Sequence, residues 1–208
     1  MDFLLYEETP LEEWITQKYL QHSIFIPQEL DIEEIVSIFG GEIAYLDTIS
    51  HARWLDDGTN DFLIVLDSRL DKFTMRGEFF HELCHPLRHS GNQRKLPPSL
   101  RNLQEEQANA FQLYATIPFY MVKNMNIPLY KKQTIDLLAQ EFKVTHSFAK
   151  KRLEQIEQRI NQGKFNQAWN KWFQDRGSKL ESQPYSHETI KLLEQLRNQT
   201  FKGEITHI

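Results

Sequence analysis

Five consecutive apolar residues, Phe62-Leu63-Ile64-Val65-Leu66, constrain the fold more than any other feature of the chain. A run without polar alternation, bounded by Asp61 and Asp67, predicts a strand over 61–67 that is covered on both faces. Such a strand needs neighbours at its edges and a layer on its faces. Residues 42–46 and 51–55 are strand-like, and Asp56-Asp57-Gly58-Thr59-Asn60 reads as a hairpin turn leading into the apolar run.

Helices must supply the covering layer. Thr9, Pro10 and Glu12 form a helix-start signature, with Thr9 as N-cap, Pro10 in the first turn and Glu12 able to close a capping box. A second helix begins near Asp31 and is expected to end at Gly40-Gly41, where glycine accepts the left-handed conformation. A third helix is expected from about 71 to 89. A Gly-, Asn- and Pro-bearing loop follows over 90–98, and Ser99 then caps a long helix stopped by Pro118. Beyond Pro118 the pattern is helical throughout, over about 131–143, 145–161, 164–175 and 186–199. Strands confined to the first part and helices after it give an α+β fold with a small antiparallel sheet. The expected organisation is a first domain over 1–125 and a mostly helical extension over 126–208 packed on it.

Forty per cent hydrophobic residues, with a mean hydropathy of −0.56, describe a soluble globular chain rather than a membrane or disordered one. The opening MDFLLYEETPLEEW is acidic where a signal peptide is basic, and no segment offers the ~18 apolar residues of a membrane span. The single cysteine cannot form an internal disulfide, which fits a cytoplasmic location. The net charge of −5 is unevenly spread: residues 1–130 carry 10 Lys+Arg against 20 Asp+Glu, and residues 131–208 carry 14 against 9.

The chemistry is concentrated in FFHELCHPLRH, residues 79–89. His81 and His85 are four residues apart, so on a helix they stand about 40° apart around the axis and one turn along it, able to share one metal ion. Glu82 lies on the flank of that face, where it can take a proton from a water without ligating. Phe79 and Phe80 anchor the helix in the core. A catalytic zinc takes three protein ligands, so a third is needed. His89 lies about 12 Å beyond His81 along the axis unless Pro86 breaks the helix, and it suits the rim or a supporting role better than ligation. Cys84 points about 60° away from His81 on the side opposite His85 and reads as a packed core thiol. In the following helix, LQEEQANAFQLYATIP, Glu105 and Asn109 share a face, with the small Ala108 between them. Glu105 is the expected third ligand, and Asn109 is placed to steady a ligand's free N–H. Glu106 points about 100° away from it.

These two segments together resemble the ImmA/IrrE family of bacterial zinc metallopeptidases. In that family an HExxH helix follows a strand, and a downstream E-x-x-A-N/D-x-F helix ending in proline gives the third ligand. The resemblance implies His81, His85 and Glu105 as ligands of one zinc ion, Glu82 as catalytic base, and Ala108, Asn109, Phe111 and Pro118 as the surrounding pattern. It spans about residues 20–160, and Cys84 stands where the family usually has glycine. It also implies a sheet packed on zincin-like HExxH and ligand helices, and a gluzincin-like third ligand. The substrate it implies is a helix-turn-helix repressor, as in family members that induce mobile elements or stress genes.

Residues 134–156 resemble a helix-turn-helix unit, in which Lys150, Lys151 and Arg152 are candidates for phosphate contact. Packing of these helices on the first domain, with the lysines in solvent, is the preferred reading, so DNA is an unfavoured partner. Phe165, Ala168, Trp169, Trp172 and Phe173 form an apolar stripe expected to dock on the domain. The expectation is therefore a cytoplasmic zinc-dependent endopeptidase acting on a protein regulator. The alternative is a non-catalytic regulator that binds a repressor or DNA and has a structural metal site.

Overall fold

A computed structural model describes residues 2–54, 61–89, 97–180, 186–189 and 191–192. The expected turn over 56–60, most of the loop over 90–98 and much of the helix over 186–199 lie outside the described residues. The chain divides into two compact units, Met1–Asn161 and Gln162–Ile208.

The first unit opens with α1 (Pro10–Gln21) and α2 (Ile32–Ile38). Thr9 caps α1 through a complete capping box with Glu12, and Asp31 caps α2 by accepting from the N–H groups of Glu33 and Glu34. Gly40, at φ +78°, provides the left-handed residue that lets the chain leave α2 and enter β1 (Gly41–Leu46). β2 (His51–Trp54) and β3 (Phe62–Asp67) complete a three-stranded sheet in the order β1-β3-β2.

The class is α+β as expected, but the sheet is mixed rather than antiparallel. β1 pairs parallel with β3, from Gly41 opposite Phe62 to Leu46 opposite Asp67, while β2 pairs antiparallel with it, from His51 opposite Val65 to Trp54 opposite Phe62. The physical reason is the apolar run itself: β3 is the most buried strand and takes the centre, which separates β1 from β2. Gly41 is required in this register, since a Cβ there would stand 2.3 Å from the Phe62 ring.

α3 (Lys72–Arg88) packs on β2 and β3, and α4 (Pro98–Thr116) packs on α3; these two helices carry the site. Pro86 lies inside α3 without ending it, and the helix stops two residues later at the extended His89. Pro97 and Pro98 open α4 in place of the expected Ser99 cap, because a proline at the first helical position gives up no hydrogen bond. The helices approach closely where Gln112 Nε2 donates to the Gly77 carbonyl at 2.9 Å and where Ala108 is fully buried.

A short α5 (Phe119–Val122) leads to α6 (Lys131–Glu141), and α7 (His146–Leu180) follows. The helices expected at 145–161 and 164–175 are one, because a single Gly163 inside a helix costs only about 1 kcal/mol. The boundary expected near residue 125 falls inside the first unit, since Leu138, Phe142, Ala149, Leu153 and Ile156 belong to the same buried core as Phe79 and Phe111. α6 and α7 are joined by a short turn in which Lys143 has φ +53°. Arg152 is not a phosphate contact, because its side chain is fully buried and pairs with Glu12. In the second unit, Phe165, Trp169, Trp172 and Phe173 stack on one another along the helix and stay 45–59% exposed.

Candidate metal centre

Helical phase and core anchoring put the two histidines of α3 in place. Phe79, Phe80 and Leu83 are fully buried, and this fixes the rotation of the helix. His81 and His85 then project together, with ring centroids 5.2 Å apart. Glu105, one turn before the buried Ala108, reaches them from α4. Its Oε2 lies 3.2 Å from His81 Nε2 and its Oε1 lies 3.9 Å from His85 Nε2. One ligand atom from each of the three residues falls within 4.8 Å of the others. Two imidazole nitrogens and one carboxylate oxygen, partly buried and convergent, make a donor set that fits a zinc ion.

Neighbouring candidates stand elsewhere. Glu106 is exposed and outside the cluster. Cys84 is buried in the core, where desolvation pushes its thiol up to about 12 and keeps it from acting as a thiolate ligand. Burial, helped by the charge of His81, lowers the His85 pKa to about 4, so its ring is neutral near pH 7 and has a lone pair to give.

Glu82 is adjacent to the cluster but not part of it. Its carboxyl is pushed up to about 8, first by desolvation and then by the charges of Glu78 and Glu105, while a hydrogen bond from the Ala52 backbone pulls it down. Ala52 lies in β2, so the sheet and the HExxH helix meet at this carboxylate. Glu78 precedes Glu82 by one helical turn, and that i, i+4 spacing was a signal available in the sequence.

His89 is 6% exposed, and its Nδ1 lies 3.0 Å from His85 Nδ1. Its Nε2 lies 3.1 Å from Gln107 Oε1. Asn109 is exposed, and among the described residues no hydrogen bond joins it to His81, His85 or Glu105. Gln107 was missed from sequence, because its contact depends on where the chain turns after Arg88. Tyr120 donates to the Ile24 carbonyl at 2.8 Å, and Tyr114 accepts from Arg159 at 3.0 Å.

No helix among the described residues is long and apolar enough to cross a membrane. A family model for Peptidase_M78, described as the IrrE N-terminal-like domain, matches residues 39–154. The chain is 31% identical over 162 residues to the uncharacterized protein YqaB of Bacillus subtilis (strain 168), covering 78% of this chain and 92% of that protein. It is 32% identical over 149 residues to the phage-like element PBSX protein XkdA of the same organism, covering 72% of this chain and 74% of the relative. Among solved structures, a Mycobacterium tuberculosis transcriptional regulator superposes with a TM-score of 0.45 at 13% identity, over 68% of this chain and 46% of that one. A family match across more than half of the sequence, joined to relatives at 31 and 32% identity, makes the kinship plain: the chain belongs to the Peptidase_M78 family, the ImmA/IrrE family that its two motifs resemble.

Proposed function

We propose that the protein is a cytoplasmic zinc-dependent endopeptidase that cuts a helix-turn-helix repressor or a similar regulator. The observation that carries this is the convergence of His81, His85 and Glu105 within 4.8 Å, with the Glu82 carboxyl beside them and outside the donor set. A purely structural site has no use for that carboxyl, so its presence favours the peptidase over a regulator with a structural metal. When bound, the zinc supplies Lewis acidity toward a carbonyl oxygen and a water. Glu82 accepts the proton of the attacking water and delivers it to the leaving amine as the C–N bond breaks. A group titrating near neutral pH suits both halves of that transfer, and the desolvated position of Glu82 supports the role.

β2 stands at one edge of the described sheet, and its Ala52 already touches Glu82. An extended substrate segment added along this edge passes beside the proposed base. β3 is central and has no free edge to offer. The phage-like element context in the name of the relative XkdA supports a mobile-element regulator as target. The burial of Arg152 removes one of three candidate phosphate contacts and weighs against direct DNA binding.

The test is co-expression of wild-type or Glu82→Gln protein with a candidate repressor, read by immunoblot for shortened repressor and by a reporter for its release. Cleavage is expected to fall by about 10²–10⁴-fold or more in the Gln variant, while the fold and metal are retained. Repressor shortening undiminished in Glu82→Gln rejects the mechanism, and reporter induction without cleavage by either form moves the function to the regulator.

A further inference from the structure

His89 lies between two groups whose protons it has to match. Its backbone N–H donates to the His85 carbonyl at 3.0 Å, which pins the residue at the end of α3. Its ring then bridges His85 and Gln107, with Nδ1 3.0 Å from His85 Nδ1 and Nε2 3.1 Å from Gln107 Oε1. Two ring nitrogens at hydrogen-bond distance share one proton, since two lone pairs or two N–H groups repel. Only two proton arrangements therefore satisfy the pair.

In the first, the Gln107 amide presents its oxygen, His89 donates from Nε2, and His89 Nδ1 accepts from His85 Nδ1. In the second, the amide presents its NH₂ group, and every proton in the chain reverses. The arrangements differ at the far end. The first leaves the lone pair of His85 on Nε2, the atom that faces Glu105 at 3.9 Å. The second puts a proton on that atom and closes it to any metal.

We infer that Gln107, whose Oε1 and not its NH₂ group faces His89 Nε2, is a positioning residue which, through His89, holds His85 in the tautomer whose Nε2 is open to the metal. This rests on the proposed assignment of His85 as a ligand. It moves the steadying role expected of Asn109 to a residue two positions earlier that reaches the end of α3. It also accounts for a histidine buried too far along the helix to share the ion. Gln107 itself is exposed, so substitutions there leave the core untouched.

The experiment begins with metal-free wild-type protein labelled with ¹⁵N in histidine. Two-bond ¹H–¹⁵N correlations, with the rings assigned by single histidine substitutions, report which nitrogen carries each proton. The proton is expected on Nδ1 of His85 and on Nε2 of His89, and the reverse pattern overturns the inference. Zinc affinity is then measured by competition with a chromophoric chelator. Gln107→Glu keeps an acceptor and is expected within about threefold of wild type, whereas Gln107→Lys installs a donor and weakens binding by about 10–100-fold. Gln107→Leu, which removes the acceptor without adding a donor, replaces the Lys variant if that protein does not melt cooperatively, and is expected to bind more weakly than Gln107→Glu. Equal affinity across the series overturns the relay. Wild-type protein that takes up no zinc rejects the ligand assignment instead, and the ring protons of the metal-free form still decide the relay on their own.

Discussion

Arg152 and Glu12 form an ion pair without access to solvent: Nη2 donates to Oε1 at 2.9 Å, and the side chains are 0% and 3% exposed. Every nitrogen of the guanidinium and both oxygens of the carboxylate have a partner. Arg152 Nε donates to the Ile117 carbonyl at 3.0 Å, Nη1 to Tyr6 at 3.3 Å and to Gln155, and Tyr6 donates in turn to the Glu12 carboxylate. The Thr9 backbone N–H donates to the other carboxylate oxygen at 3.0 Å. An intact buried pair adds little net stability, but breaking it leaves a charge without a partner. Arg152→Met is therefore expected to cost about 3–5 kcal/mol, and Glu12→Gln with Arg152→Met to recover much of that loss. Urea unfolding of the two variants beside wild type checks this, and a single Met variant with the wild-type midpoint counts against the pairing.

Metal content is the second expectation. Purified protein is expected to carry about one zinc per chain, lost on changing His81, His85 or Glu105 to Ala and kept in Glu106→Ala. Elemental analysis of the four variants decides it. A fully loaded Glu105→Ala beside an empty Glu106→Ala reverses the assignment on α4.

How much of this was legible in the sequence varies by element. His81 and His85 follow from helical spacing alone, and β3 from an unbroken apolar run. Strand order was not legible, since alternation says which faces are buried and nothing about which neighbour lies on which edge. Arg152 was obscured by its company: Lys150-Lys151-Arg152 reads as a solvated basic face. Yet Ala149, Leu153, Ile156 and Ile160 place position 152 inside an apolar stripe, and an arginine there demands a buried partner. Gln107 had no such signal, because its contact depends on the extended turn at His89.

A third expectation follows from the carboxyl of Glu82, which in the metal-free protein titrates at about 8 against an ordinary 4.5. A folded pKa above the unfolded one means that the unfolded chain gives up its proton first as the pH rises. Stability is therefore lost progressively between 4.5 and about 8 and stays level above that. Glu82→Gln removes this penalty, which is on the order of a few kcal/mol. With a chelator present, the Gln variant should melt together with wild type near pH 4 and clearly above it near pH 9. His85 titrates alike in both proteins and drops out of the difference. Coincident melts at the alkaline end contradict a desolvated carboxyl.

The fourth expectation concerns nucleic acid. Lys150 and Lys151 are exposed, and Lys150 lies 3.9 Å from Glu154, so they form a partly neutralised solvated edge. Changing both to Gln is expected to leave any regulatory effect in cells nearly unchanged. A duplex whose binding by wild type weakens steeply with salt, and is lost in the double variant, supports the DNA-binding alternative instead.

The Glu12–Arg152 pair also sets an order of events during synthesis. Its members are separated by 140 positions, so a growing chain displays Glu12, Tyr6 and the whole of α3 long before the guanidinium that completes the first unit has been made. Closing so long a loop is slow compared with forming the helices it joins. The HExxH helix and its glutamate partner can therefore exist on the ribosome as secondary structure before the interior that holds them is closed. The interior that holds His81, His85 and Glu105 together is then closed only when α7 is added, which puts a delay between making these three side chains and fixing them around one point.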